Sequence, residues 1–562
     1  SAIALGDQAG FSQQRDYAVA LGVDAGYRQQ SYSAIAIGNS AGYASQQANT
    51  VAIGYFAGYS IQGSYAIAMG LQAGQMSQGT YAVALGANTG YLNQGCNSIA
   101  VGANAGNISQ NNWATALGVD AGYSAQASYA VALGFHAGSN AQGASAVAIG
   151  LDSGRVTQGT GAIAVGDSAA SNAQGCYAVA LGASAGYSAQ GSYATSVGYQ
   201  AGYSAQGANA TAVGDQAGRF NQGTYAVAVG RLAGFSAQGS SAVAVGDAAG
   251  QIGQNAYAVA LGTQAGYSTQ GSYATSVGYQ AGYSAQGANA TAVGRLAGET
   301  SQGASAVAVG YAAGQASQGS YAVAVGTDAG LTSQGNFAVA VGQSAGTTSQ
   351  GSYAIAIGTN SALISQGENA VAVGREAGYS AQGSYAVAVG YLAGQTNQHD
   401  NSIVLNASGS ALDTAQASSF YVAPVRGGNF AASALAYTSA GEVVEETGVH
   451  FDASGNVGVG TASPKYALDV VGGARVTEGF EFGGITSELP QDKLQYSATT
   501  TIVGHGDYTI DTSRNQFNSF SGSSIHAFKD VSSAEFWRSA SDYTDGVANT
   551  SGTFSSLTDS SA

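Results

Sequence analysis

Over the first 400 residues the apolar positions recur with a period of 16. An anchor glycine marks the phase, beginning at Gly6, Gly22, Gly38, Gly54 and Gly70 and running in register to Gly374 and Gly390. Each of the 25 units is close to YAVAVGxxAGxxxQGx. The residue before the anchor is aliphatic or Met (Leu5, Leu21, Met69, Val389). The third before it is always β-branched, with Thr115, Thr195, Thr211, Thr275 and Thr291 standing among Val and Ile. The second before it is Ala, except at Ser196 and Ser276. Alternation over about five residues with β-branched enrichment predicts a strand that the glycine ends. A second Gly follows four residues on, replaced only by Ala170 and Ala362, and predicts a tight corner. One strand with a corner after it and another near the Gln-Gly step makes one coil of a parallel β-solenoid. Coils stacked about 4.8 Å apart give a rod roughly 120 Å long.

A Gln stands eight residues after every anchor: Gln14, Gln30, Gln46, Gln62, Gln78, Gln94, Gln110 and onward to Gln382 and Gln398. Identical amides stacked along an axis can hydrogen-bond as a ladder, and a chemical site has no need of so many copies. The strand is apolar on both faces, Val, Ile or Leu on one and Ala on the other. A strand of that kind is expected to be buried on both faces. A single thin solenoid buries only its inward face. The small residues are therefore expected to face an axis shared with other copies of the chain. Varying positions five residues before and after the anchor carry much of the Tyr and other aromatics, among them Tyr17, Tyr65, Trp113, Tyr27, Tyr43 and Tyr187. They read as outward-facing stacks that cover the corners, or as a surface facing glycan.

Composition narrows the class. Only 8% of the 562 residues are charged and 86 are Gly, far from ordinary globular usage. The net charge of −16 comes without a basic patch, which excludes nucleic-acid binding, and no apolar run reaches the roughly 18 residues of a membrane span. Cys96 and Cys176 occupy the same place in coils about 24 Å apart, beyond disulfide reach, and match no metal spacing. They leave the redox compartment open. No cofactor is expected. Ser1 falls in mid-repeat with no initiator Met and no signal peptide, so the rod is expected to continue upstream, with this chain a fragment or a processed form. The segment QGSYATSVGYQAGYSAQGANATAVG stands at 190–214 and again at 270–294, a duplication of five coils.

The period ends at NSIVLNASGS, where Asn406 takes the anchor position. An open solenoid end is an unpaired sheet edge and must be covered. The expected organisation is a β-roll over 1–400, a cap over 401–417, a β-rich trimeric neck or knob over 418–497 and a further β-rich segment over 498–562. The fold class is all-β.

The SVAIG-like strand with its glycine turn resembles the heads of trimeric autotransporter adhesins, which implies a left-handed parallel β-roll packed as a homotrimer. AGxxxQG coils followed by NSIVLNASGSAL, FYVAPVR and GNVGVGTASPKYALDV resemble fibre proteins of large DNA viruses of algae, and the last phrase is similar to one in phage tail fibres. That resemblance implies that Tyr421 to Arg426 and Gly455 to Val470 are trimer-forming structure. The AGxxxQG half departs from the bacterial head pattern. The tail SSIHAFKDVSSAEFWRSASDYTDG is similar to the opening of discoidin-like modules, with Phe528, Asp530 and Trp537 as recognition residues. Lys529 interrupts the usual phrase there.

The reading favoured is a trimeric structural and adhesive fibre on a virion surface, outside the cell. Its partners would be itself, other virion proteins and a host surface glycan or receptor, without membrane insertion. A bacterial surface adhesin is the alternative, against which stands the lack of a heptad stalk. A polysaccharide-cutting tailspike would want two carboxylates about 5–9 Å apart. The rod's acidic residues (Asp120, Asp152, Asp167, Asp215, Asp247) are instead scattered singly, and the five His residues form no cluster with Ser or Cys. An ice-binding surface would show flat Thr arrays, and Thr195, Thr211, Thr275 and Thr291 come only in pairs.

Overall fold

The computed structural model describes residues 1–425 and 432–471, together with two short strands at 510–511 and 516–517. The described residues form strands, bridges and turns, and the chain divides into two compact units, the first Ser1–Val425 and the second the remainder.

In the first unit each coil contributes the three residues before its anchor glycine to one parallel sheet of 27 strands. Val19, Ala20 and Leu21 pair with Ile35, Ala36 and Ile37, and the same offset of 16 holds from coil to coil. The anchor glycine makes this stacking possible. Gly22 has φ of 127°, a conformation that residues with a Cβ avoid. A Cβ there would also lie 2.7 Å from the carbonyl oxygen of Gly38 in the next coil. The chain then turns, with Ala25 N–H donating to the Gly22 carbonyl at 3.3 Å and Gly26 at φ 56°.

A second parallel sheet lies across the coil, which the alternation of apolar residues did not announce. Its strands are the three-residue segments that end at the column Gln, such as Ser188–Gln190 beside Ser204–Gln206. They form runs of five, ten and five strands, joined through bridges at Ile108, Ser124 and Thr300. Only the first and third residues pair (Ser188 with Ser204, Gln190 with Gln206), because the middle residue is left-handed, as at Ala189 with φ 55°. The first two positions vary from coil to coil and are often Ser or Ala, which have little intrinsic preference for strands; the stacking of neighbours creates this sheet.

The assignment of faces is the reverse of the one expected from sequence. The Ala at the centre of each strand is wholly buried inside its own coil (Ala20, Ala36, Ala52), as are the Ala residues four before and three after the anchor. The flanking Val19 and Leu21 point outward and are only half-buried. The Ala face therefore does not face a shared axis. The reason is the width of the lumen. The two walls stand so close that Gln amides from one reach backbone carbonyls of the other, which leaves room for methyl groups only.

The solenoid continues past residue 400. Ile403–Asn406 pairs in register with Val387–Gly390, and Phe420–Ala423 pairs with Ile403–Asn406. The inward residue grows along these last rungs, from Ala388 to the fully buried Val404 and then Tyr421, while Leu412 packs on the same cluster. Asn406 ties the end together. Its amide nitrogen donates to the carbonyls of Tyr391 and Ser410, and its oxygen accepts from the Ser408 backbone and hydroxyl. The widening core plugs the lumen and closes the end that a bare last coil would leave open.

In the second unit, Ala432–Tyr437, Val443–Phe451, Val457–Val459 and Leu468–Val470 form one four-stranded sheet. The turn at 452–456 is organised by Asp452, whose carboxylate accepts from the backbone of Ser454 and Asn456 and from the Asn456 side chain. These bonds, that from the Asn456 backbone first, hold its carboxyl below the usual Asp range. Phe528, Asp530 and Trp537 lie outside the described residues.

Candidate interaction surfaces of the solenoid

Every coil repeats the same 16 positions, so each position becomes a column running along the solenoid, and a candidate site is a stretch of one or two columns. The Gln column is interior. Gln30 Nε2 donates to Val19 O at 2.8 Å, Ala34 O at 3.1 Å and Gln46 Oε1 at 3.1 Å. The amide-to-amide bond recurs from Gln14 through Gln46, Gln62, Gln78, Gln94 and Gln110 to Gln382, except that Gln270 Nε2 donates to Ser276 Oγ at 3.3 Å on the way to Gln286. Gln398 ends the column, donating to Val387 and Ser402 carbonyls. All the amides point the same way along the axis. The two exceptions to the Ala rule are wired into this ladder. Ser196 Oγ donates to Gln206 Oε1 at 2.7 Å, and Ser276 Oγ to Gln286 Oε1 at 2.8 Å. These Gln residues are structural and inaccessible to a ligand. The anchors Gly6, Gly22, Gly38, Gly54 and Gly70 likewise close the stack, each with the next glycine's backbone where its Cβ would be, and Gly390 meets the backbone of Asn406.

The surface columns carry whatever recognition the solenoid performs. Phe11, Tyr27, Tyr43 and Tyr59 stack with centroids 4.8–5.0 Å apart and ring planes within 11°. Tyr321, Phe337 and Tyr353 do the same on the column five residues before the anchor, as do Tyr65 with Tyr81, while Trp113 lies parallel to Tyr129 with centroids 6.2 Å apart. Within such a ladder each ring's faces are taken by its neighbours, and edges face solvent. Sugar stacking needs a free ring face. The ladder interiors therefore serve as corner covering, and only rings with a small residue next in the column offer a face.

Two further columns, one and two residues after the anchor, carry polar chemistry that the sequence reading treated as scattered. Asn88 donates to Asn104 at 3.3 Å and Asn104 to Asp120 at 2.9 Å. His136 Nε2 lies 3.3 Å from Asp120 and its Nδ1 lies 3.1 Å from Asp152. The acidic residues Asp120 and Asp152 are thus brought together around one imidazole. Only the doubly protonated ring can donate to both. On the neighbouring column Arg231 pairs with Asp247 at 2.9 Å, and Arg295 stands between Tyr279 and Tyr311. Reading every sixteenth residue at these two positions would have revealed both columns. Among the described residues no group of three His, Cys, Asp or Glu side chains is placed to hold a metal ion. Cys96 is half-buried and Cys176 exposed, both free thiols.

The broadest feature is apolar. The residues three before and one before each anchor form a continuous outward face of Val, Ile, Leu and Thr along the 27-stranded sheet, with Met69, Leu117, Leu133, Leu261 and Val389 among its exposed members. Compared with known protein families, with curated proteins and with solved structures, the chain matches none.

Proposed function

We propose that the chain is a structural and adhesive fibre protein of a virion surface, whose solenoid forms the shaft of a homotrimer and whose C-terminal part engages a host-cell glycan or receptor. The observation that carries this reading is the continuous, mainly Val, Ile and Leu outward face, with Thr at five rungs, along 27 in-register rungs. Soluble monomers rarely expose an apolar patch larger than a few hundred Å². A strand face of this height and three residues wide presents on the order of 1,000 Å² per chain, above the roughly 800 Å² per partner of a standard interface. The occupant that fits is another copy of the chain, because only an identical solenoid repeats its side chains at the same rise over the whole length. The trimeric state follows the resemblance to virus fibres and adhesin heads. Three tips on one shaft multiply weak affinities for a cell surface. The interface in this reading is the Val/Ile/Leu face.

Light scattering of the full chain tests the assembly. The expected mass is three times the 55.2 kDa chain. Replacing Leu261 and Val245 together by Glu, on the exposed face, is expected to shift that mass toward the monomer while leaving the solenoid folded. A monomer for the unaltered chain would sink the interface and the fibre reading with it.

A further inference from the structure

The column one residue after the anchor contains three arginines in different circumstances. Arg231 is paired with Asp247 at 2.9 Å. Arg375 contacts Glu376 at 3.2 Å while lying over Tyr391. Arg295 has no carboxylate partner among the described residues; its guanidinium carbon lies 5.9 Å from the Tyr279 ring centroid and 5.5 Å from that of Tyr311, one coil to either side. Arg295, Tyr279 and Tyr311 are all exposed. The next residues in the column are Thr263 and Thr327, also exposed and without rings.

We propose that Tyr279, Arg295 and Tyr311 form a binding site on the side of the solenoid for an acidic saccharide, one carrying sulfate or carboxylate groups. A guanidinium stacked between two rings has its faces covered, and its N–H donors lie in its plane. Those donors are free at the outer edge and form a fork matched to a planar or tetrahedral oxyanion. Stacking holds the fork in place before the ligand arrives, which lowers the ordering cost of binding. Each ring has Arg295 over it from one side, and the next residue in the column on the other side is a threonine rather than a ring, so unlike the ladder interiors these rings have no aromatic neighbour in the column on that side, where the C–H face of a sugar would stack. The surroundings permit an anion. Gln280, Leu296 and Ala312 are the neutral neighbours two after the anchors of these coils. Glu299, on the same coil, already accepts from Gln315 at 2.6 Å. Asp328 stands two coils away in sequence. The proposal rests on the attachment reading only for where the saccharide comes from, a cell surface.

The test is binding of the full chain to an immobilised, sulfated heparin octasaccharide and to a carboxylated hyaluronan oligosaccharide, at low and physiological salt. Binding to either supports the site, and the pair tells sulfate from carboxylate. Arg295→Gln is expected to weaken binding by about tenfold or more, the effect of losing a charge-assisted contact. Arg295→Lys keeps the charge but loses the fork and the stack, and is expected to weaken it about threefold or more. Arg231→Gln should leave binding unchanged. Four results would overturn the proposal: no binding by the unaltered chain, an equal loss in Arg231→Gln, full binding by Arg295→Lys, or competition by inorganic sulfate as effective as by the octasaccharide. An unaltered chain of trimeric mass that ignores both oligosaccharides refutes this site and leaves the fibre reading standing.

Discussion

At the scale of the residue, the most consequential group is the glutamine amide. A buried amide is costly unless its donors and acceptor are met, and leaving one unmet costs about 1–3 kcal/mol. Gln222 satisfies all of them. It accepts from Gln206 at 3.0 Å and donates to Thr211 O at 2.8 Å and Gln238 Oε1 at 3.1 Å. Gln222→Leu has a suitable size but strands the Gln206 donor, the Gln238 acceptor and the Thr211 carbonyl. It is expected to destabilise the adjoining coils by about 2–4 kcal/mol, read as faster hydrogen exchange in those coils before the rest of the solenoid. Unchanged exchange there would mean that water replaces the amide at little cost. The hydroxyls of Ser196 and Ser276 belong to the same economy of donors and acceptors, which explains why a polar residue is tolerated at a position otherwise given to Ala.

At the scale of the element, the unit is a rung rather than a strand. Three residues paired on both sides make a weak strand in isolation, and each coil also holds non-glycine residues in left-handed backbone, such as Asp24, Gln29 and Ser33. Each of these costs on the order of 1–2 kcal/mol. They persist because every rung is hydrogen-bonded to its neighbours along both walls. The anchor glycine is where the element is least forgiving. At Gly214, φ is 129° and a Cβ would lie 2.7 Å from the Gly230 carbonyl oxygen. Gly214→Ala therefore combines a strained backbone with overpacking against a backbone that has nowhere to go. A loss of about 2–5 kcal/mol is expected, measured as a lowered unfolding midpoint in denaturant. An Ala variant as stable as the parent would show that coil spacing is more elastic than the close stacking implies. Ala170 and Ala362 make the contrast, since they replace the other glycine and remain left-handed at φ 46° and 47°. A Cβ at that position meets the end of a Gln side chain, which can shift, rather than a neighbouring backbone.

At the scale of the whole molecule, the first unit is quasi-one-dimensional, and its stability is close to a sum of nearest-neighbour terms. The duplicated block puts this to use. Deleting residues 190–269 joins Ala189 to Gln270 in unbroken register, because 270–294 repeats 190–214. The shortened chain is expected to fold with an unchanged thermal midpoint and a solenoid shorter by about 24 Å, measured by small-angle scattering. A collapse of stability would reveal long-range coupling that the coil-by-coil contacts do not provide. Length is thus the adjustable property of this protein, while the cap from Val404 to Tyr421 is the part that cannot be repeated.

The period of 16, the strand before each anchor, the glycine corner and the Gln column were all legible in the residues. Each depends on local preference or on an identical residue recurring at a fixed offset, and stacked coils turn that offset into contact. The end of the repeat at Asn406 was legible too, although the solenoid's last rungs extend to Ala423. The second sheet was not legible, since only the final Gln recurs in its three-residue segments, the first two positions vary without alternation, and they pair because neighbours are already in register. The neighbours of Arg295 and His136 stand one coil away, at an offset of 16, so they were present in the sequence but show only when unlike residues are read column by column rather than along the chain. The direction of the strand's faces was decided by tertiary structure alone. With Val and Leu on one side and Ala on the other, alternation allows either face inward. The choice is made by a lumen narrow enough for an amide to cross it, which admits the methyl of Ala20 and turns Val19 and Leu21 to the outside.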